Sequence, residues 1–98
     1  MLKRETTKHT NQIKVTFVVP DDPDLPRISV VGDFNNWDPE AHKLVRRSNN
    51  TRSVSLLLDA GAHYAFRYYT EEGRWFNDEA ADGYAENEHG TQNGLIHT

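Results

Sequence analysis

The chain has 98 residues, 11 Lys+Arg against 15 Asp+Glu and a formal net charge of −4, which leaves room for one compact domain and excludes a two-domain enzyme. Hydrophobic residues make up 36%, so the core must be small, and two Trp, four Tyr and four Phe have to supply much of the buried surface. With no Cys there is no disulfide framework, thiolate metal site or cysteine nucleophile.

Residues 1–10 carry Lys3, Arg4, Glu5 and Lys8 among threonines and are read as a flexible segment preceding a module over 11–98. No run in them is apolar enough for a secretory leader or a membrane span, so the expectation is a soluble, cytoplasmic chain away from the membrane. The acidic balance argues against a nucleic-acid partner, because neutralising phosphates takes clustered Lys and Arg.

Ile13, Val15, Phe17 and Val19 alternate with Lys14, Thr16 and Val18, the period-two pattern of a half-buried strand. Pro20, Pro23 and Pro26 with Asp21, Asp22 and Asp24 then stop the ladder. A second strand is predicted over Arg27 to Val31, ending at Gly32, and a third around Lys43 to Arg47. Val54, Leu56 and Leu58 mark a fourth. In the fifth, Ala62 to Thr70, the aromatics Tyr64, Phe66 and Tyr68 share the core face and leave Arg67 and Tyr69 outward. Glu71, Glu72 and Gly73 form a hairpin loop leading to a return strand at Arg74 to Phe76. Asp78 to Ala85 is read as loop with one helical turn, and a final strand as Leu95 to His97. The fold class is therefore all-β, an immunoglobulin-like antiparallel β-sandwich of six to eight short strands.

Catalysis finds no support in the pattern. Glycoside hydrolysis needs two carboxylates held about 5 to 10 Å apart in a cleft. The acids here are adjacent pairs, such as Glu71 and Glu72, or scattered through loops. His9, His42, His63, His89 and His97 never fall at a metal-ligand spacing, and no phosphate loop or nucleophile elbow occurs. The chain is read as not an enzyme, with no catalytic residue, metal or cofactor.

What stands out is the placement of aromatic and amide residues. Trp37 follows Gly32, Asp33, Phe34, Asn35 and Asn36 in a loop before Asp38 and Pro39, where an exposed ring is expected rather than a core plug. Trp75 follows the hairpin, on a strand whose partner presents Arg67 outward. Thr91 and Asn93 sit between Gly90 and Gly94 in a second polar loop. A hexose has an apolar face of C–H groups and a rim of hydroxyls, so flat indoles beside guanidinium, amide and hydroxyl groups suit a sugar.

GDFNNW (Gly32 to Trp37), AHYAFRYYTEEGRWFND (Ala62 to Asp78) and HGTQNGLI (His89 to Ile96) together resemble carbohydrate-binding module family 48. That type includes the glycogen-binding domain of AMP-activated protein kinase beta subunits and the early-set domains N-terminal to isoamylase and branching enzymes. The resemblance runs from Gln12 to the end of the sequence and implies a small early-set sandwich that binds α-1,4-linked glucans such as glycogen, starch or maltooligosaccharides. It makes Trp37 and Trp75 the stacking residues. Arg67 stands where the kinase-type domain has a lysine, and Thr91 and Asn93 match its polar loop residues. His89 departs from the pattern, replacing a leucine that projects into the curve of the glucan, and Asp78 matches a recurring aspartate with a structural role. The implied partners are an α-glucan and, as an alternative, a glucan-metabolising enzyme or kinase subunit for which the chain is an interaction module.

Overall fold

The computed structural model describes residues 1–7 and 11–98, so Lys8, His9 and Thr10 of the segment expected to be flexible lie outside the described residues. These residues form nine strands and no helix, and therefore none long and apolar enough to cross a membrane. The strands are β1 (Leu2–Thr6), β2 (Gln12–Pro20), β3 (Ile28–Gly32), β4 (Val45–Arg46), β5 (Thr51–Asp59), β6 (His63–Thr70), β7 (Trp75–Phe76), β8 (Gly83–Glu86) and β9 (Gln92–His97). One antiparallel sheet runs β1-β2-β5-β4; the other runs β3-β6-β9-β8, with β7 added against β6.

The core is the seam between the two sheets. Fully buried Val15 and Phe17 of β2 face Ile28, Val30, Phe66, Tyr68 and Ile96 of the opposite sheet. Phe17 meets Phe66 edge-on at 5.2 Å between ring centroids and Phe34 at 5.6 Å, so these rings and Tyr68 fill the middle of a core whose remaining buried residues are Val, Ile and Leu. The β2–β5 register pairs Phe17 with Val54, Val15 with Leu56 and Ile13 with Leu58, which puts all three pairs on the inner face.

The same register carries Arg52 inward, in phase with Val54, Leu56 and Leu58, and leaves it 3% exposed. All three of its guanidinium nitrogens donate. Nε donates to Asp21 Oδ1 at 2.7 Å, Nη1 to the Pro26 carbonyl at 2.7 Å, and Nη2 to the Asp22 and Leu25 carbonyls at 2.9 and 3.0 Å. The proline- and aspartate-rich turn, whose carbonyls have no ladder to join, is thus tied to β5.

Several elements differ from the sequence reading, and nine strands exceed the six to eight expected. Leu2–Thr6 forms strand β1, paired with Ile13 to Phe17, although most of its side chains are exposed and give no apolar alternation. The third strand shrinks to Val45–Arg46 because the chain there crosses between sheets: Leu44 N bonds the Ile28 carbonyl at 2.9 Å while Val45 pairs with Ser53. The Asp78 to Ala85 segment contains strand β8 instead of a helical turn; it is an edge strand with three of its four residues exposed. β9 starts at Gln92, so Asn93 and Gly94 lie on a strand instead of in a loop. Gly94 is needed for packing, since a Cβ there would meet Ala81 Cβ at 3.3 Å and Phe66 Cε1 at 3.5 Å.

Candidate functional site

The loop after β3 is built around Asn35. Its Oδ1 accepts from Gly32 N at 3.0 Å and its Nδ2 donates to the Val30 carbonyl at 3.0 Å. Those two bonds fix the amide's orientation, so the third contact, Nδ2 to His42 Nδ1 at 3.0 Å, requires an unprotonated acceptor on His42. Gly32 is required where the loop departs: a Cβ would run into the Ala65 carbonyl oxygen and lie 2.9 Å from Phe66 Cβ.

This scaffold holds Trp37 in an unusual state. Asn36 and Trp37 have φ of 56° and 59°; Asn tolerates the left-handed region, whereas for Trp it costs about 1 to 3 kcal/mol. The conformation is held by Trp37 N donating to the Gly32 carbonyl at 3.0 Å, Asp38 N to the Asn35 carbonyl at 3.1 Å, and the indole Nε1 to Asp33 Oδ1 at 3.2 Å. Asp33 is itself pinned by Ala65 N, which donates to its Oδ2 at 2.9 Å. The indole is half-buried instead of exposed as expected, because its N–H edge is engaged by this carboxylate.

Arg67 lies on the outer face of β6, between core residues Phe66 and Tyr68. Trp75 pairs with Tyr69 across β6–β7, their rings 4.6 Å apart, and is 47% exposed. The Arg67 guanidinium carbon sits 5.7 Å from the Trp75 ring centroid, the diagonal contact that a two-residue offset on one face allows. Arg67 Nη1 donates to Thr91 Oγ1 at 3.3 Å, and its buried Nε has no partner among the described residues.

Trp37, Arg67, Trp75, His89, Thr91 and Asn93, the six residues singled out in the sequence, line a single open groove of about 910 Å³. The fold adds Asp33, Asn87 and Glu88 to its walls. Asp33 was visible within the Gly32 to Trp37 motif; Asn87 carried no signal beyond that of an ordinary turn residue. Thr91 and Asn93 are tied to Asn87 by hydrogen bonds of 2.8 and 3.1 Å, whereas His89 and Glu88 project from the lip, 80% and 87% exposed, 3.6 Å apart. Chemically the groove offers two flat apolar plates, one fixed guanidinium and a row of neutral amide and hydroxyl groups. Among the described residues no three His, Asp or Glu side chains converge as a metal site.

Asp78 stands outside the groove and holds the sheet together from behind. It is 4% exposed, accepts from the Tyr68 hydroxyl at 2.6 Å, from Ala80 N at 2.8 Å and from the Met1 amine at 2.9 Å, while its carbonyl accepts from the Tyr84 hydroxyl at 2.7 Å. Burial pushes its carboxyl up, but these donors more than offset it and leave the group below the ordinary carboxylate range. Burial, the hydrogen bond to Asp78 and that residue's charge together hold the Tyr68 hydroxyl well above its usual value.

No protein-family model matches the chain. It is 38% identical over 53 residues, 53% of its length, to a 1,4-alpha-glucan branching enzyme, GlgB 2, of Xanthomonas campestris pv. campestris. It is 33% identical over 63 residues, 63% of its length, to the 1,4-alpha-glucan branching enzyme GlgB of Thermosynechococcus vestitus. Against an amylopullulanase of Thermoanaerobacterium thermosulfurigenes the identity is 37% over 83 residues, 76% of the chain. These matches span only 7%, 8% and 4% of the respective relatives. The chain is therefore a β-sandwich similar to short segments of much larger glucan-processing enzymes.

Proposed function

We propose that this chain is a non-catalytic module that binds α-1,4-linked glucans in the groove of Trp37 and Trp75. The observation that carries the reading is the convergence of two indoles far apart in sequence, one from the loop after β3 and one from β7, with Arg67 in one open groove. Each indole takes the C–H face of one glucose ring, while Arg67, Thr91 and Asn93 bond hydroxyls and so favour the curved α-linked chain. The relatives' names and the resemblance to carbohydrate-binding module family 48 support the same ligand class. His89, on the lip, offers a flat but polar edge where the resembled domains place a leucine. Binding is expected to be weak, with Kd on the order of 10 to 100 μM, because an open groove buries little ligand and hydroxyl bonds merely replace bonds to water.

Both tryptophans of the chain line the groove, so their fluorescence reads the site directly. Titration with maltoheptaose or β-cyclodextrin is expected to give a saturable change, with none for cellohexaose, and Trp37→Ala or Trp75→Ala each to abolish retention on immobilised glycogen. A flat titration of the folded chain, or retention by both single variants, overturns the assignment.

A second reading is favoured by the short span of the matches within large enzymes: the module brings a glucan-processing enzyme to its polymer. Mixing the chain with a branching enzyme and glycogen should then raise the enzyme's fraction co-sedimenting with the polymer; an unchanged fraction removes the idea.

A further inference from the structure

Asn87, between β8 and β9, spends every polar atom of its side chain on the groove. Its Oδ1 accepts from His89 N at 2.9 Å, Thr91 N at 3.3 Å and the Thr91 hydroxyl at 3.1 Å, which closes the turn. Its Nδ2 donates to Thr91 Oγ1 at 2.8 Å and to Asn93 Oδ1 at 3.1 Å. Thr91 Oγ1 also receives Arg67 Nη1 at 3.3 Å and gives its own proton back to Asn87 Oδ1 at 3.1 Å, so the hydroxyl is fully engaged and anchors the guanidinium. Asn93, with its oxygen held by Asn87, must turn its NH2 outward.

We infer that Asn87 is a positioning residue that sets the polarity of the groove's rim, turning the Asn93 amide and, through Thr91, anchoring Arg67 so that both present hydrogen-bond donors to glucan oxygens acting as acceptors. The inference rests on the glucan-binding reading and deepens it. Asn87 need not touch the ligand; it acts through its two neighbours.

Asn87→Asp tests this with almost no change of shape. The carboxylate keeps the turn-closing oxygen and the Thr91 proton but cannot donate, so Asn93 flips to give its NH2 to residue 87 and presents an oxygen to the ligand. In the fluorescence titration the variant is expected to bind maltoheptaose at least about tenfold more weakly, while its melting temperature stays within about 2 °C of the native chain. Introduced into a Thr91→Ala/Asn93→Ala background, the same change should cost less than about twofold more, because the groups it acts through are gone. Asn87→Ser, which keeps a turn-closing oxygen without the amide, should lose affinity likewise and serves if the aspartate variant does not fold. Native-like affinity of Asn87→Asp or of Asn87→Ser overturns the inference alone. An undiminished loss in the double-alanine background also overturns it, by pointing to the added charge. Absence of binding by the native chain instead overturns the glucan reading and this inference with it.

Discussion

Trp37 shows how one residue can be held in a conformation its own chemistry disfavours. Its left-handed backbone is fixed by the Gly32 carbonyl and the Asp33 carboxylate, and the loop carrying it is braced by Asn35 and His42. Asp78 is the opposite case, a buried charge stabilised by donors on several sides. Because the folded state lowers its acidity constant's pKa, its contribution is complete above the unfolded value of about 3.9 and is lost as pH falls through the folded-state value. In urea titrations Asp78→Asn should be less stable than the native chain by about 1 to 3 kcal/mol at pH 6. That gap should narrow steadily below pH 4; a gap independent of pH would show that the charge is not what stabilises.

At the scale of elements, the turn between β2 and β3 depends on one guanidinium. Arg52→Met keeps the length and apolar stem but leaves Asp21 with only the looser Arg46 contact at 3.5 Å and strips three carbonyls of their donor. A loss on the order of 3 kcal/mol is expected in urea denaturation. Arg52 lines a cleft that shares no residue with the groove of Trp37 and Trp75, so on the proposed reading maltoheptaose affinity should stay within about twofold in folded protein. Elements differ in how plainly the sequence announces them. β2, β5 and β6 have one buried face, and their alternation is visible in Val15 and Phe17, Val54 and Leu56, Phe66 and Tyr68. β1 and β8 lie at sheet edges, where Lys3, Arg4 and Glu5 or Tyr84 and Glu86 face solvent and leave no period to read. Arg52 and Thr70 sit in phase with buried neighbours, so their burial follows from register, but a reading by residue type places them outside. In the groove, the residues with conspicuous side chains could be picked out, whereas Asn87 could not: its place depends on which atoms the β8–β9 turn brings within hydrogen-bonding distance, a property of the fold and not of composition.

The molecule as a whole measures 41 × 37 × 22 Å, a slab two sheets thick whose interior is filled by aliphatic and aromatic side chains. A ligand must therefore bind on its surface, and the groove lies on the outer face of the β3-β6-β9-β8 sheet. Binding there couples to global stability, because Arg67, Trp75 and Asn93 belong to three different strands of that sheet. At maltoheptaose concentrations near 100 times Kd, stabilisation of about 2.7 kcal/mol is expected. Scanning calorimetry should show this as a rise in melting temperature of at least about 5 °C, absent with cellohexaose.

The position of β9 inside its sheet, between β6 and β8, has a consequence for assembly. Although it is the last of the nine strands in order, it supplies the floor joining Arg67 to the β8 side, and its pairing with β6 closes a long excursion through the hairpin and the acidic loops. A chain in which Gln92–His97 has not yet paired therefore has both indoles but not the Asn93 side of the groove. On the proposed glucan-binding reading, recognition of polymer is completed only when β9 pairs with β6 and β8, the β6 contacts closing over a long stretch of sequence.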